Sequence, residues 1–178
     1  FLILQCKVKN FLCYKTNIID KKSRKLHIFS FHLHLSHLKN MIRLAIFASG
    51  EGSNAENIVK YFSDNQNVEV CLLVSDNPFA GVHERMKRSG IPSVVFSKEE
   101  LAAEEPVLKE LAAYRIDWIV LSGYLKKISG KLIAAYPNRI INIHPALLPK
   151  YGGKVMYGKR VHEAVVAAGE KESGITIH

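Results

Sequence analysis

The sequence predicts an α/β chain built on a doubly wound, mostly parallel sheet, and three observations predict it. From Ile42 onward, short apolar runs alternate with segments of helical period. The first of these runs is nearly continuous, as in a strand buried on both faces. Glycine, proline, asparagine and serine cluster where one kind of segment gives way to the other.

The elements follow in order. Ile42 to Ala48 opens the sheet, and Ser49-Gly50-Glu51-Gly52-Ser53-Asn54 is a glycine-rich turn into a helix marked by Ile58, Val59 and Phe62. Val68 to Val74 is a second strand, closed by the turn cluster Ser75-Asp76-Asn77-Pro78. Gly81 to Ser89 fits a helix, and Gly90-Ile91-Pro92 leads to a third strand from Ser93 to Phe96. Lys98 to Tyr114 is expected as one helix, with Leu101, Leu108 and Leu111 on its apolar side and glutamates on a solvated face. Asp117 to Leu121 is a fourth strand, ended by the segment from Ser122 to Ile128, and Lys131 to Tyr136 is helical. Pro137-Asn138 turns the chain into a fifth strand, Arg139 to His144. Leu147 to Lys154 is a proline and glycine loop, and Gly158 to Gly169 fits a helix with Val161, Val165 and Val166 inside. Gly174 to His178 begins another strand and stops in mid-pattern, so the domain is expected to be incomplete at its carboxyl end.

The length of 178 residues suggests one domain with enough apolar content for a substantial core. No apolar run approaches the length that crosses a bilayer. Cys6, Cys13 and Cys71 are odd in number and lack metal-ligand pairing, which argues against a disulfide framework and a zinc site and for a cytoplasmic location. The net charge of +9 invites a nucleic-acid reading, but residues 1–40 hold eight Lys or Arg against Asp20 alone. That segment carries +7, and only +2 belongs to the remainder, where no basic face interleaved with aromatics occurs. Residues 1–40 read as a non-native or disordered basic extension, with Met41 as the true start. His32, His34 and His37 have no carboxylate or cysteine beside them and read as chance composition rather than a metal cluster.

Three features, the glycine loop at 50–54, the loop at 122–128 and the pair Asn142 and His144, all follow carboxyl ends of strands and converge on one rim. In a doubly wound sheet, ligands sit beyond the carboxyl ends of the strands, beside a switch in strand order. The glycine turn lets backbone amides and a helix N-terminus face an anion, with Ser53 and Asn54 as added donors; an ordinary tight turn fits the same residues. It is neither the dinucleotide fingerprint nor the nucleotide-triphosphate loop, since the third glycine and the Gly-Lys-Ser/Thr are absent. Along the fifth strand, Ile141 and Ile143 alternate with Asn142 and His144, which places both polar side chains on one face until Pro145 ends the ladder. Such a pair is more often solvent-facing or internally bonded. Beside the other two rim features it offers a donor for a developing oxyanion and a group that moves protons near neutral pH.

These residues resemble the folate-dependent formyltransferases, and among them the phosphoribosylglycinamide formyltransferases of purine biosynthesis. The similarity runs from Met41 to His178 and rests on four motifs in the family's order. They are Ser49-Gly-Glu-Gly-Ser-Asn54, Leu121-Ser-Gly-Tyr-Leu125, Ile141-Asn-Ile-His-Pro-Ala-Leu-Leu-Pro-Lys-Tyr151 and Ser173-Gly-Ile-Thr-Ile-His178. The resemblance implies a formyltransferase fold with a Rossmann-like N-terminal half. It implies transfer of a formyl group from 10-formyltetrahydrofolate, a co-substrate, to the amine of 5-phosphoribosylglycinamide, without a metal. Gly52, Ser53 and Asn54 are then expected on the ribonucleotide's phosphate and Gly123 close to that substrate. Leu125, Lys126, Lys127 and Ile128 are expected to line the folate pocket. Asn142 is expected to hold the formyl oxygen and His144 to carry the proton. Small-molecule partners, no nucleic acid, no membrane, and a monomer or homodimer complete the expectation.

Two departures qualify it. The family's catalytic Asp lies a few residues beyond the position of His178, so weak or no activity is expected of these 178 residues alone. Val155 stands where close relatives have glycine, and a β-branched residue there is strained if the backbone needs positive φ. The alternatives are another formyltransferase or a formyl hydrolase of the same fold, or an inactive nucleotide-binding fragment.

Overall fold

The computed structural model describes residues 41–153 and 156–178. The basic extension, with Cys6, Cys13 and its histidines, and the Val155 position lie outside the described residues. Among the described residues six strands and six helices follow in the order β1 (Ile42–Phe47), α1 (Ser53–Phe62), β2 (Val68–Ser75), α2 (Val82–Arg88), β3 (Ser93–Val95), α3 (Lys98–Ala103), α4 (Glu105–Ala113), β4 (Trp118–Ser122), α5 (Gly130–Ala135), β5 (Ile140–His144), α6 (Lys159–Ala167) and β6 (Thr176–Ile177). They form one sheet of order β3-β2-β1-β4-β5-β6. The strands from β3 to β5 pair in parallel. At the β6 edge, Asn142 and His178 exchange both backbone hydrogen bonds, at 2.7 and 3.1 Å, which is the mark of an antiparallel pair.

Burial explains why the central strands read as unbroken apolar runs. Leu44 to Phe47 and Leu72 to Val74 are at most 2% exposed, because helices cover both faces of β1 and β2. On one face, Phe47, Leu72, Val74 and Ile119 pack with Val107 and Leu111 of α4 and Leu132 of α5. Ala55, Ile58, Val59 and Phe62 are the buried stripe of α1, and Val82 and Met86 that of α2. Cys71 is buried, and that burial pushes its thiol up to about 12, so it is an inert core residue at neutral pH.

Two expectations change in the structure. The helix foreseen over 98–114 is broken at Glu104, whose φ of 65° lies in the left-handed region. Pro106 explains the break: it donates no amide and its ring crowds the preceding turn, so α4 restarts with proline in its first turn. Val166 is 78% exposed rather than inside. Val161 and Val165, four apart, form the buried stripe of α6, whereas Val166 lies about 140° around the helix from Val161.

Winding reverses between β1 and β4, so the loops after those strands flank the crevice where such sheets hold ligands. Ser49 to Gly52 follows β1 and Gly123 to Ser129 follows β4.

Candidate active site

The site begins with a buried serine. Ser49 donates its hydroxyl to Asp76 Oδ1 at 2.5 Å, and the same oxygen accepts the Leu125 amide at 3.0 Å. The Ser49 amide donates to the Gly123 carbonyl at 3.2 Å, and Asn77 Nδ2 donates to the Ser49 carbonyl at 3.4 Å. One side chain thus ties the loops after β1, β2 and β4 together across the reversal point. Asp76 also pairs with Lys126 at 3.5 Å.

Gly52 is required twice over. Its φ of 74° is left-handed, and a Cβ added there would overlap the Val82 side chain and lie 2.8 Å from the Val82 Cα. It also caps α1 without a side chain, leaving the first amides of that helix to face outward beside the exposed Ser53 and Asn54. The acidic residue of the first turn, Glu56, is engaged by Lys60 at 3.2 Å and Arg85 at 2.5 Å, which together hold its carboxyl below the ordinary value. Arg85 Nε donates to the Glu51 carbonyl at 2.7 Å and braces the loop from behind. A paired Glu56 leaves the positive end of α1 available to an anion.

The segment after β4 supplies a pocket. Gly123 has φ 71° with open space about its Cα, and Leu125, Lys126 and Lys127 are exposed while Ile128 is half-buried. Tyr124 packs edge-on against Phe47 with ring centroids 5.3 Å apart. Burial and the nearby Asp76 push its hydroxyl up to about 12, so the ring stays neutral. Lys126, Lys127 and Ile128 line a shallow pocket of about 40 Å³ with Phe47, Leu101 and Tyr124. That is room for about three waters within the walls, and the pocket opens to solvent beyond them.

Asn142 and His144 sit on the same face as this pocket. Ile140 packs in the cluster with Phe47, Val107 and Leu132, which also line the pocket, and alternation along β5 carries Asn142 and His144 to that side. Leu121 pairs with Asn142 and Ser122 with Ile143, so the loop that starts at Gly123 leaves β4 next to the end of β5. The Asn142 amide donates to His178 Nε2 at 2.8 Å and keeps a second N–H. His144 Nε2 lies 2.8 Å from the Tyr151 carbonyl. A carbonyl only accepts, so this nitrogen carries a hydrogen, and of the two neutral tautomers the contact selects the one with the lone pair on Nδ1. Thr176 latches the loop between them, donating to the Ala146 carbonyl at 2.7 Å and accepting the Leu148 amide at 2.9 Å.

The structure therefore gathers Gly123, Leu125 and Lys126 around Ser49, and Asn142 and His144 beside them in the sheet. Sequence reasoning missed Ser49 and Asp76 as the tie, and Tyr151, Thr176 and His178 as partners of the β5 end. Asp76 did stand in a recognised turn cluster, but no local pattern says which distant group a side chain will meet. Among the described residues no three His, Cys, Asp or Glu side chains come together as a metal site.

Comparison with known proteins gives the family and the fold. A family model described as formyl transferase matches residues 42–178. The chain is 43% identical over 152 residues to the chloroplastic phosphoribosylglycinamide formyltransferase of Arabidopsis thaliana, covering 80% of this chain and 51% of that protein. It is 38% identical to the phosphoribosylglycinamide formyltransferase of Bacillus subtilis, over 78% of this chain and 71% of the relative. The solved structure of glycinamide ribonucleotide transformylase 1 from Geobacillus kaustophilus superposes with a TM-score of 0.68 at 42% identity, covering 78% of this chain and 73% of that one. The chain spans about half the length of the plant relatives it matches.

Proposed function

This chain belongs to the formyl transferase family, and on that premise we propose that the whole protein transfers a formyl group from 10-formyltetrahydrofolate to the amine of 5-phosphoribosylglycinamide, a step of purine biosynthesis and one-carbon metabolism. The observation that carries the reading is the pairing of Asn142 and His144 on one face of β5, at the rim shared with the uncapped N-terminus of α1.

The acceptor's phosphate lies on the amides of Gly52 and Ser53 and on the Asn54 side chain, where α1 presents donors and a positive end. Gly123, with no side chain, lets the ribonucleotide pass close to the backbone. Leu125, Lys126, Lys127 and Ile128 take the folate at the shallow pocket beside Tyr124. The amine nitrogen attacks the formyl carbon, and the oxygen that gains charge is met by the second N–H of Asn142. His144 relays through Nδ1 the proton that the amine loses and the departing folate nitrogen gains. Acyl transfer of this kind needs an oxyanion donor and a proton carrier, and no covalent nucleophile. The domain beginning at Met41 and a cytoplasmic site of action belong to the same proposal; the chloroplastic plant relative makes a plastid the alternative compartment. Among the described residues no helix is long and apolar enough to cross a membrane.

The test is a formyl-transfer assay of the whole protein with both substrates, alongside formate release without acceptor. Transfer that needs the ribonucleotide supports the reading. Release of formate without acceptor identifies a hydrolase and overturns it.

A further inference from the structure

A carboxylate outside the site just described shares a partner, Tyr151, with its histidine. Glu170 follows α6, and its Oε1 accepts both the Lys150 ammonium at 2.8 Å and the Tyr151 hydroxyl at 2.9 Å. Those two donors hold its carboxyl below the ordinary value, so it is ionised at neutral pH. Tyr151 is an unusual residue to find where it is: its φ of 55° lies in the left-handed region that an aromatic side chain seldom occupies. Gly152 and Gly153 follow it and give the loop no stiffness of their own. What holds the residue is its ring, packed on Ala146, Val161 and Val165, and its hydroxyl, fixed to Glu170. The carbonyl of this same residue accepts Nε2–H of His144.

We propose that Glu170 is a positioning residue for His144: by clasping Lys150 and Tyr151 it fixes the Tyr151 carbonyl, which keeps the hydrogen on Nε2 and leaves Nδ1 as the nitrogen that exchanges protons. The two neutral tautomers of an imidazole are otherwise close in energy, and one backbone acceptor selects between them. The proposal rests on the reading of His144 as the proton carrier, but the tautomer itself is measurable without any substrate.

The experiment uses the whole protein, labelled with nitrogen-15 in histidine, and reads the His144 ring nitrogens by two-bond proton–nitrogen correlation in the wild type, Glu170→Ala, Glu170→Gln and Tyr151→Phe. The wild type is expected as the Nε2–H form and Glu170→Ala as a mixture. Glu170→Ala is also expected to lose about tenfold in kcat, the scale seen when a partner behind a functional histidine is removed, with the acceptor KM within about twofold. Glu170→Gln keeps an acceptor for the Tyr151 hydroxyl and is expected to recover most of the rate, while Tyr151→Phe, which retains the packed ring, shifts the tautomer as Glu170→Ala does. An unchanged tautomer in both Glu170→Ala and Tyr151→Phe overturns the proposal, as does a kcat that falls only in step with melting temperature. If the wild type transfers no formyl group, the functional reading fails while the tautomer measurement still decides the role of Glu170.

Discussion

Around the glycine loop the outward-facing hydrogen-bonding groups are mostly main-chain amides, with the exposed Ser53 and Asn54 adding side chains, whereas at the end of β5 they belong to two side chains. The loop depends on shape: a left-handed Gly52 lying against Val82 and a serine bonded to the two neighbouring loops. The β5 end depends on partners: Asn142 needs His178, 36 residues away, and His144 needs the Tyr151 carbonyl. A cradle made mostly of main chain loses only one contact with a side chain such as Asn54, and fails outright only where the backbone must be glycine. A side-chain pair fails when either the group or what orients it is altered, and its failure shows in rate before it shows in stability.

The largest expected effect separates the regions by function. In the whole protein, His144→Ala should lower kcat by about 10²–10⁴-fold, the range for loss of general acid–base catalysis, and leave ribonucleotide binding by calorimetry intact. Unchanged turnover would remove His144 from the chemistry. Gly52→Ala comes next and should act through the fold. Strain at positive φ and overlap with Val82 cost on the order of 3 kcal/mol together, read as a shift in denaturant midpoint. A variant as stable as the wild type would show that α2 yields to the added methyl. Asn54→Ala is a smaller change at an exposed position and should weaken acceptor binding by about tenfold, the scale of one hydrogen bond to a charged group, at unchanged kcat. An effect confined to the folate KM would contradict the phosphate assignment.

The smallest effect is a pH dependence. Lys150 and Tyr151 lower the Glu170 carboxyl from its ordinary 4.5, so the folded value lies under the unfolded one. The stabilisation is then complete above pH 4.5 and is lost as the pH falls through the lowered value. Melting curves of the wild type and Glu170→Ala should therefore differ at neutral pH and converge in acid. A difference that persists after the carboxylate has been protonated would mean that something other than the ionised carboxylate holds the loop.

Much of this was legible in advance, and the exceptions have definite causes. The strand–helix alternation, the glycine turn and the Asn142–His144 spacing are local patterns, set by period and by proline and glycine chemistry, and the sheet has the expected architecture. The break at Glu104 was also local, since Pro106 stands in the sequence, but the leucine periodicity on either side masked it. Val166 followed from a valine pair whose second member lies off the buried stripe.

By itself the sequence determined which segments become strands and helices and which residue types could do chemistry at their ends, because those follow from contacts a few residues apart. Only the tertiary structure decided that Ser49 joins three loops, that Glu56 is paired with Arg85, and that Asn142 and His144 find their partners just after β6 and in the loop before α6. Such partners lie tens of residues away for most of these groups, and their meeting is fixed by strand order and register, which no window of sequence contains.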